Sequence, residues 1–262
     1  MRTTKKNFTA ILLGALVLFT VCGCTATPSK SDALEELVIG GTMHEPYFYT
    51  DENGEFDGID VRIAKEACKR AGYRATFKLI DWVKKNEYLQ RGEIDCVWTC
   101  LSMNGRETEY LWAGPYASDR ASIAVLQSSD IYSFSDLAGK TVAVQATSRA
   151  EAILLSNENK NVPPLKNVFS LYDIGESAAA LRRGYVDACV AHEAALQHVL
   201  NDLEVEYRIL DEPLLIARLG VAFLKTEDNV ACAKINAALE EMRKDGLIRS
   251  AFASFGARLI ER

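Results

Sequence analysis

Leu89-Gln90-Arg91-Gly92-Glu93-Ile94-Asp95 comes back further along the chain as Leu181-Arg182-Arg183-Gly184-Tyr185-Val186-Asp187. Both stretches read Leu-x-x-Gly-x-(Ile or Val)-Asp. The leucine ends an apolar helical face, the glycine supplies the left-handed residue of a helix C-terminus, and the β-branched residue before Asp opens a strand. A helix-to-strand joint repeated in this form points to two similarly wound α/β halves. The surrounding segments agree. Leu37-Val38-Ile39-Gly40 reads as a short buried strand, and Asp51-Glu52-Asn53-Gly54 as a turn. From Ile59 to Ala71, apolar residues at 59, 63, 64, 67 and 71 keep the helical period until Gly72 stops it. Residues 75–80, 94–98, 122–126 and 141–144 read as strands, and 148–155 and 176–183 as helices. A strand at 186–190, a helix at 193–201, a strand at 220–224 and a long amphipathic helix at 228–244 follow. Gly246 stops that helix, and a last one runs through Phe252. Strands alternating with helices predict α/β layers on a mainly parallel sheet.

The 262 residues are 48% hydrophobic and 25% charged, enough for one large domain or two lobes. That apolar content, with charges of both signs interleaved, excludes a disordered chain. A net charge of −6, with no basic run beyond the extreme N-terminus, argues against nucleic acid as a partner. No G-x-S-x-G, P-loop or H-E-x-x-H pattern occurs.

Residues 1–23 read as a signal peptide. Arg2, Lys5 and Lys6 precede an apolar run from Phe8 to Val21 that is short for a membrane span and ends in small residues. Val21-Cys22-Gly23-Cys24 resembles a bacterial lipobox. Lipidation is expected at Cys24, because the small Gly23 precedes it. Residues 24–33, small and polar, read as a lipid-anchored tether. The body is therefore expected to be extracytoplasmic. Cys68, Cys96, Cys100, Cys189 and Cys232 lie downstream. An odd number in apolar-rich surroundings suits buried thiols better than a disulfide framework. Cys96-x-x-x-Cys100 alone is a weak metal pattern, so no metal or cofactor is expected.

Several further motifs occur in a fixed order: Glu45-Pro46-Tyr47-Phe48, GEFDGID (54–60), Asp81-Trp82, the first repeat copy, SMNGR (102–106), Gly114-Pro115-Tyr116, SDLAGKTVAVQATS (135–148), the second copy, and Asp245-Gly246. In that order the chain resembles, over residues 34–258, the amino-acid-type solute-binding proteins of ABC importers, extracytoplasmic family 3. The resemblance implies an α/β fold, a two-lobed periplasmic-binding-protein type II clamshell with two hinge crossings. Lobe 1 would be 34–118 plus 217–262 and lobe 2 would be 119–216, with crossings near 117–120 and 211–217. It also implies a monomeric lipoprotein, anchored to the cell membrane, that is not an enzyme. Such a protein binds a polar amino acid or related small carboxylate in the interlobe cleft and delivers it to an ABC permease. Two alternatives on the same fold are a ligand-sensing subunit of a signalling system and a cyclohexadienyl-dehydratase-like enzyme.

The resemblance also implies site residues. Arg106 matches the family's carboxylate-binding arginine, whose planar fork fits a carboxylate in two hydrogen bonds. The usual Thr-x-x-Arg spacing is one residue shorter here. Thr99, Cys100 and Ser102 occupy the strand-end positions that offer polar groups to the ligand. Thr147 and Ser148 match the turn that caps the ligand carboxylate in lobe 2. Trp82 matches a stacking wall, with His44 or Tyr47 opposite. His192 stands where the family usually places an Asp for the ligand ammonium. Three readings stay open: Glu193 or Glu45 serves the amine, His192 binds it neutral, or the ligand lacks a typical α-amine. Asp60, Asp95 and Asp187 read as structural.

Overall fold

The computed structural model describes residues 34–156, 161–226 and 229–260; the expected signal peptide, tether and Cys24 lie outside them. The chain begins with β1 (Glu35–Gly41), the hairpin strands β2 (Tyr49–Thr50) and β3 (Phe56–Asp57), α1 (Ile59–Ala71), β4 (Tyr73–Leu79), α2 (Lys85–Gln90) and β5 (Cys96–Val97). The long β6 (Leu111–Leu126) leads into β7 (Thr141–Gln145), α3 (Arg149–Leu155), β8 (Asn167–Leu171), α4 (Ile174–Arg182), β9 (Ala188–His192), α5 (Glu193–Asp202) and β10 (Tyr207–Ile209). Then follow β11 (Leu215–Phe223), α6 (Val230–Lys244) and α7 (Leu247–Ser254).

The same winding occurs twice. β1 pairs in parallel with β4 and β5, and β7 pairs in parallel with β8 and β9. The repeated Asp does the same task in each copy. Asp95 Oδ2 accepts from Val38 N at 2.6 Å while Asp95 N donates to Val38 O at 2.8 Å. Asp187 Oδ2 accepts from Thr141 N at 2.7 Å while Asp187 N donates to Thr141 O at 2.8 Å. Each Asp thus pins the central strand of its triplet where the ladder begins.

β6 and β11 run antiparallel beside each other and join the triplets, in the order β4-β1-β5-β11-β6-β9-β7-β8, with β10 on β6. The expectation of a mainly parallel sheet is corrected: β5–β11, β11–β6 and β6–β9 are all antiparallel, so the sheet is mixed. Two chain segments passing in opposite directions between the triplets impose that result.

One buried cluster packs α1, α6 and α7 through Ile59, Ile63, Ile235, Leu239 and Phe252. A second gathers Ile123, Val142, Val144, Leu154 and Val190, and a third Ile80, Trp82, Leu89 and Leu101. Each large apolar side chain fully buried there contributes about 1.5–3 kcal/mol. The five described cysteines are free and buried, and burial pushes the Cys68 and Cys189 thiols up to about 12.

α1 hangs on the backbone before it. Ile59 N donates to Pro46 O and Asp60 N to Tyr47 O, both at 2.9 Å. Gly58 makes this possible: its φ is +128°, and a Cβ there would lie 2.3 Å from Tyr47 O. Gly58→Ala is expected to cost about 2–3 kcal/mol in urea unfolding. A loss below about 0.5 kcal/mol would show that the segment relaxes freely.

Candidate functional site

The C-terminal ends of parallel strands in an open α/β sheet are where ligands collect, because loops diverge there and leave a crevice. In this chain both triplets direct those ends at one cavity of about 50 Å³. Thr42 follows β1, Trp82 follows β4, and Thr99 to Ser102 follow β5. From the other triplet come Gln145, Ser148 and Arg149 after β7, and Val190 to His192 at the end of β9. Ala121 of β6 and Leu215 and Ala217 of β11 form the floor. By the space one water needs, the cavity holds roughly four water molecules.

Arg106 lines the cavity on a loop that is fixed rather than free. Met103 N donates to Arg218 O at 2.7 Å, Asn104 Oδ1 accepts from Arg218 N at 2.8 Å, and Trp112 Nε1 donates to Arg106 O at 3.1 Å. The guanidinium donates to Ser102 O at 3.2 Å and to Thr147 O at 2.9 Å, so it touches backbone from both triplets. Burial, with Arg149 adding to it, holds its pKa below the ordinary arginine value. Three of its five N–H donors remain for other partners.

The other expected residues fall into two groups. Ser102, Thr99, Cys100, Trp82, Ser148, His192 and His44 line the cavity with Arg106. Cys100 has φ +49° and donates its N–H to Asp60 Oδ2 at 2.5 Å. Ser148 Oγ caps α3 by accepting from Glu151 N at 3.1 Å, and α3 is only seven residues long. Trp82 is 6% exposed, belongs to the third core cluster, and carries Lys85 Nζ 4.5 Å from its ring centroid.

Thr147, Tyr47 and Glu193 lie off the lining. Thr147 Oγ1 accepts from Lys85 Nζ at 3.2 Å, so its hydroxyl is already engaged. Tyr47 is fully buried and donates to Asp119 Oδ2 at 2.7 Å. Glu193 Oε2 lies 2.8 Å from Arg120 Nε and accepts from Ser122 Oγ at 2.6 Å, beside a separate surface hollow. Glu45, the other carboxylate considered for the amine, pairs with His198 Nε2 at 2.6 Å.

Sequence reading missed Asp119, which ties Tyr47 to the lining residue His192. Asp119 Oδ2 also meets His192 Nδ1 at 3.0 Å. His44, its ring centroid 6.1 Å from that of His192, is buried with Nε2 unpartnered, and burial first and His192 second push its pKa down to about 3. Asp60 accepts from Tyr116 and Cys100, yet burial raises it to about 6. Also missed were Lys85, held down to about 8 by burial and then by Arg106, and Arg149. Arg149 directly follows the expected Thr147-Ser148 pair, the one sequence signal that could have found it.

Comparison with known proteins fits this geometry. The profile of the bacterial extracellular solute-binding proteins, family 3, matches residues 37–257. The chain is 28% identical to the "Probable amino-acid-binding protein YxeM" of Bacillus subtilis (strain 168), over 93% of this chain and 92% of that one. It is 27% identical to the L-cystine-binding protein TcyK of the same organism, over 94% and 93%. A solved structure of an ancestral arginine-binding protein bound to glutamine superposes with TM-score 0.73 at 29% identity, covering 87% of this chain and 99% of that one. All three are named as binding proteins. Among the described residues no helix is long and apolar enough to cross a membrane.

Proposed function

The chain belongs to the bacterial extracellular solute-binding proteins, family 3, and from that premise we propose that it is the substrate-binding lipoprotein of an ABC importer, holding a polar amino acid or related small carboxylate between two lobes. Lobe 1 is 34–118 plus 217–262 and lobe 2 is 119–216, joined where β6 and β11 cross. One observation carries the reading: strand ends of two separately wound triplets close on a single cavity that Arg106 lines.

In this reading Arg106 takes the ligand carboxylate, supported by the hydroxyls of Ser102, Thr99 and Ser148. Trp82 and His44 form walls, and Cys100 and His192 close the base. A cavity of about 50 Å³ is smaller than an amino acid, so in this reading a ligand enters by parting the lobes about the two crossing strands. Residues 1–23 are a signal peptide, Cys24 carries the lipid, and residues 24–33 tether the body to the membrane, where it meets the permease.

A thermal-shift screen of the purified chain against the α-amino acids and amine-free carboxylates tests this. A ligand at 100-fold its Kd adds about 2.7 kcal/mol, roughly 5–10 °C in Tm for a chain of this size. Silence across the panel would overturn the receptor reading.

A further inference from the structure

The cavity carries charge of one sign. Arg106 and Arg149 both line it, on loops from opposite triplets, and no Asp or Glu is among its described lining residues. Arg149 Nε is buried with no hydrogen-bond partner. Its guanidinium lies against Gly105: a Cβ built there would sit 2.5 Å from Arg149 Cζ, and Gly105 has φ +69°. The glycine beside Arg106 therefore leaves the space that lets a second guanidinium approach. Lys85 stands behind them, donating to Thr147 Oγ1.

The nearby carboxylates stand outside the cavity lining and hold other partners or face solvent. Asp119 accepts from Tyr47, His192 and Arg120 N, and Glu193 is engaged by Arg120 and Ser122. Glu151 accepts from Thr147 N at 2.6 Å, and Glu109 is exposed. Like charges brought together away from water repel, and the repulsion is relieved when an anion binds between them. An ammonium, in contrast, would meet the two arginines with no carboxylate among the described lining residues to pair with.

Building on the receptor reading above, we propose that the ligand is a small dicarboxylate, with one carboxylate on Arg106, the other on Arg149, and no requirement for an ammonium. The second carboxylate discriminates between ligands because Arg149 Nε has no hydrogen-bond partner, whereas Arg106 is already tied to backbone on both sides.

Isothermal titration of the purified chain at low ionic strength, with glutarate, 2-oxoglutarate and L-glutamate against L-glutamine, L-arginine and L-cystine, tests the assignment. At least one dicarboxylate should bind about tenfold tighter than L-glutamine. Arg149→Gln should lose about tenfold for that dicarboxylate and under about threefold for L-glutamine, with an unchanged circular dichroism spectrum. Gly105→Ala, whose Cβ alone would sit 2.5 Å from Arg149 Cζ and push the guanidinium aside, should reproduce the loss. Tightest binding of a neutral or cationic amino acid, or an Arg149→Gln variant with full dicarboxylate affinity, would overturn the dicarboxylate assignment and leave the receptor standing. Binding of none of the six would overturn the dicarboxylate assignment, and silence across the full thermal-shift panel as well would overturn the receptor reading with it.

Discussion

Arg106→Ala is expected to weaken ligand binding by at least about a hundredfold while the protein stays folded. Truncating one partner of a desolvated charged pair costs about 2–5 kcal/mol, and the ligand carboxylate would lose both its counter-charge and its fork. The fold should tolerate the change better. The guanidinium gives up its bonds to Ser102 O and Thr147 O, each a net contribution of about 0.5–1.5 kcal/mol. Part of that loss is offset, because Arg106 also repels Lys85 and Arg149. The loop itself is held by Met103, Asn104 and Trp112 rather than by the Arg106 side chain. Arg106→Lys keeps the charge and loses the planar fork, so its affinity should fall between the two. Titration calorimetry together with urea midpoints separates the effects. Affinity of Arg106→Ala within about threefold of the parent, where a lost pair predicts the hundredfold change, would remove Arg106 from the site.

The parts of the molecule legible in the sequence are those whose environment is local. α1 shows its helical period because one face packs on α6 and α7 and the other meets solvent. Both Leu-x-x-Gly-x-(Ile or Val)-Asp joints are legible because the glycine and the β-branched residue act within a few residues, whereas the task of each Asp, holding the distant Val38 or Thr141, is not. β6, 16 residues long, is legible only at 122–126, because Gly114-Pro115 interrupts its first half like a turn and hides its run as one strand. β8 lies at the sheet edge, with three of its five residues exposed. The same distinction governs the site. Thr99, Cys100 and Ser102 are legible through the family resemblance, and they stand at a strand end, where ligands collect in this architecture. Tyr47 and Glu193 read as lining residues, yet their partners Asp119, Arg120 and Ser122 come from the distant β6 and draw them away from the cavity. Arg149 escapes notice because its reach is set by the missing side chain at Gly105, far off in sequence and adjacent in space.

His44 and Asp60 are expected to give opposite pH dependences that mask each other in the parent protein. Burial lowers His44 to about 3 from 6.5, so in the folded state it stays neutral where the unfolded chain takes up a proton. Its contribution is full above pH 6.5 and is lost as pH falls toward 3, at about 1.4 kcal/mol per pH unit. Burial raises Asp60 to about 6 from 3.8, so the folded state holds a proton that the unfolded chain releases. That contribution is full below 3.8 and is lost as pH rises through 6, with the same slope and the opposite sign. Between pH 6 and 4 the two nearly cancel. His192 and Asp119 face both groups, and Tyr116 and Cys100 bond to Asp60, so these neighbours are common to every variant compared. His44→Gln leaves Asp60 unopposed, and its stability should rise relative to the parent by about 3 kcal/mol as pH falls from 6 to 4. Asp60→Asn leaves His44 unopposed and should lose a similar amount over the same range. Urea midpoints at half-unit pH steps read both slopes, and subtracting the parent removes the acid sensitivity that the surface carboxylates give all three proteins. Parallel curves for the three would mean that water or a bound ion already solvates the cluster of His44, Asp60, Asp119 and His192, and that neither group is held out of its ordinary protonation state by burial.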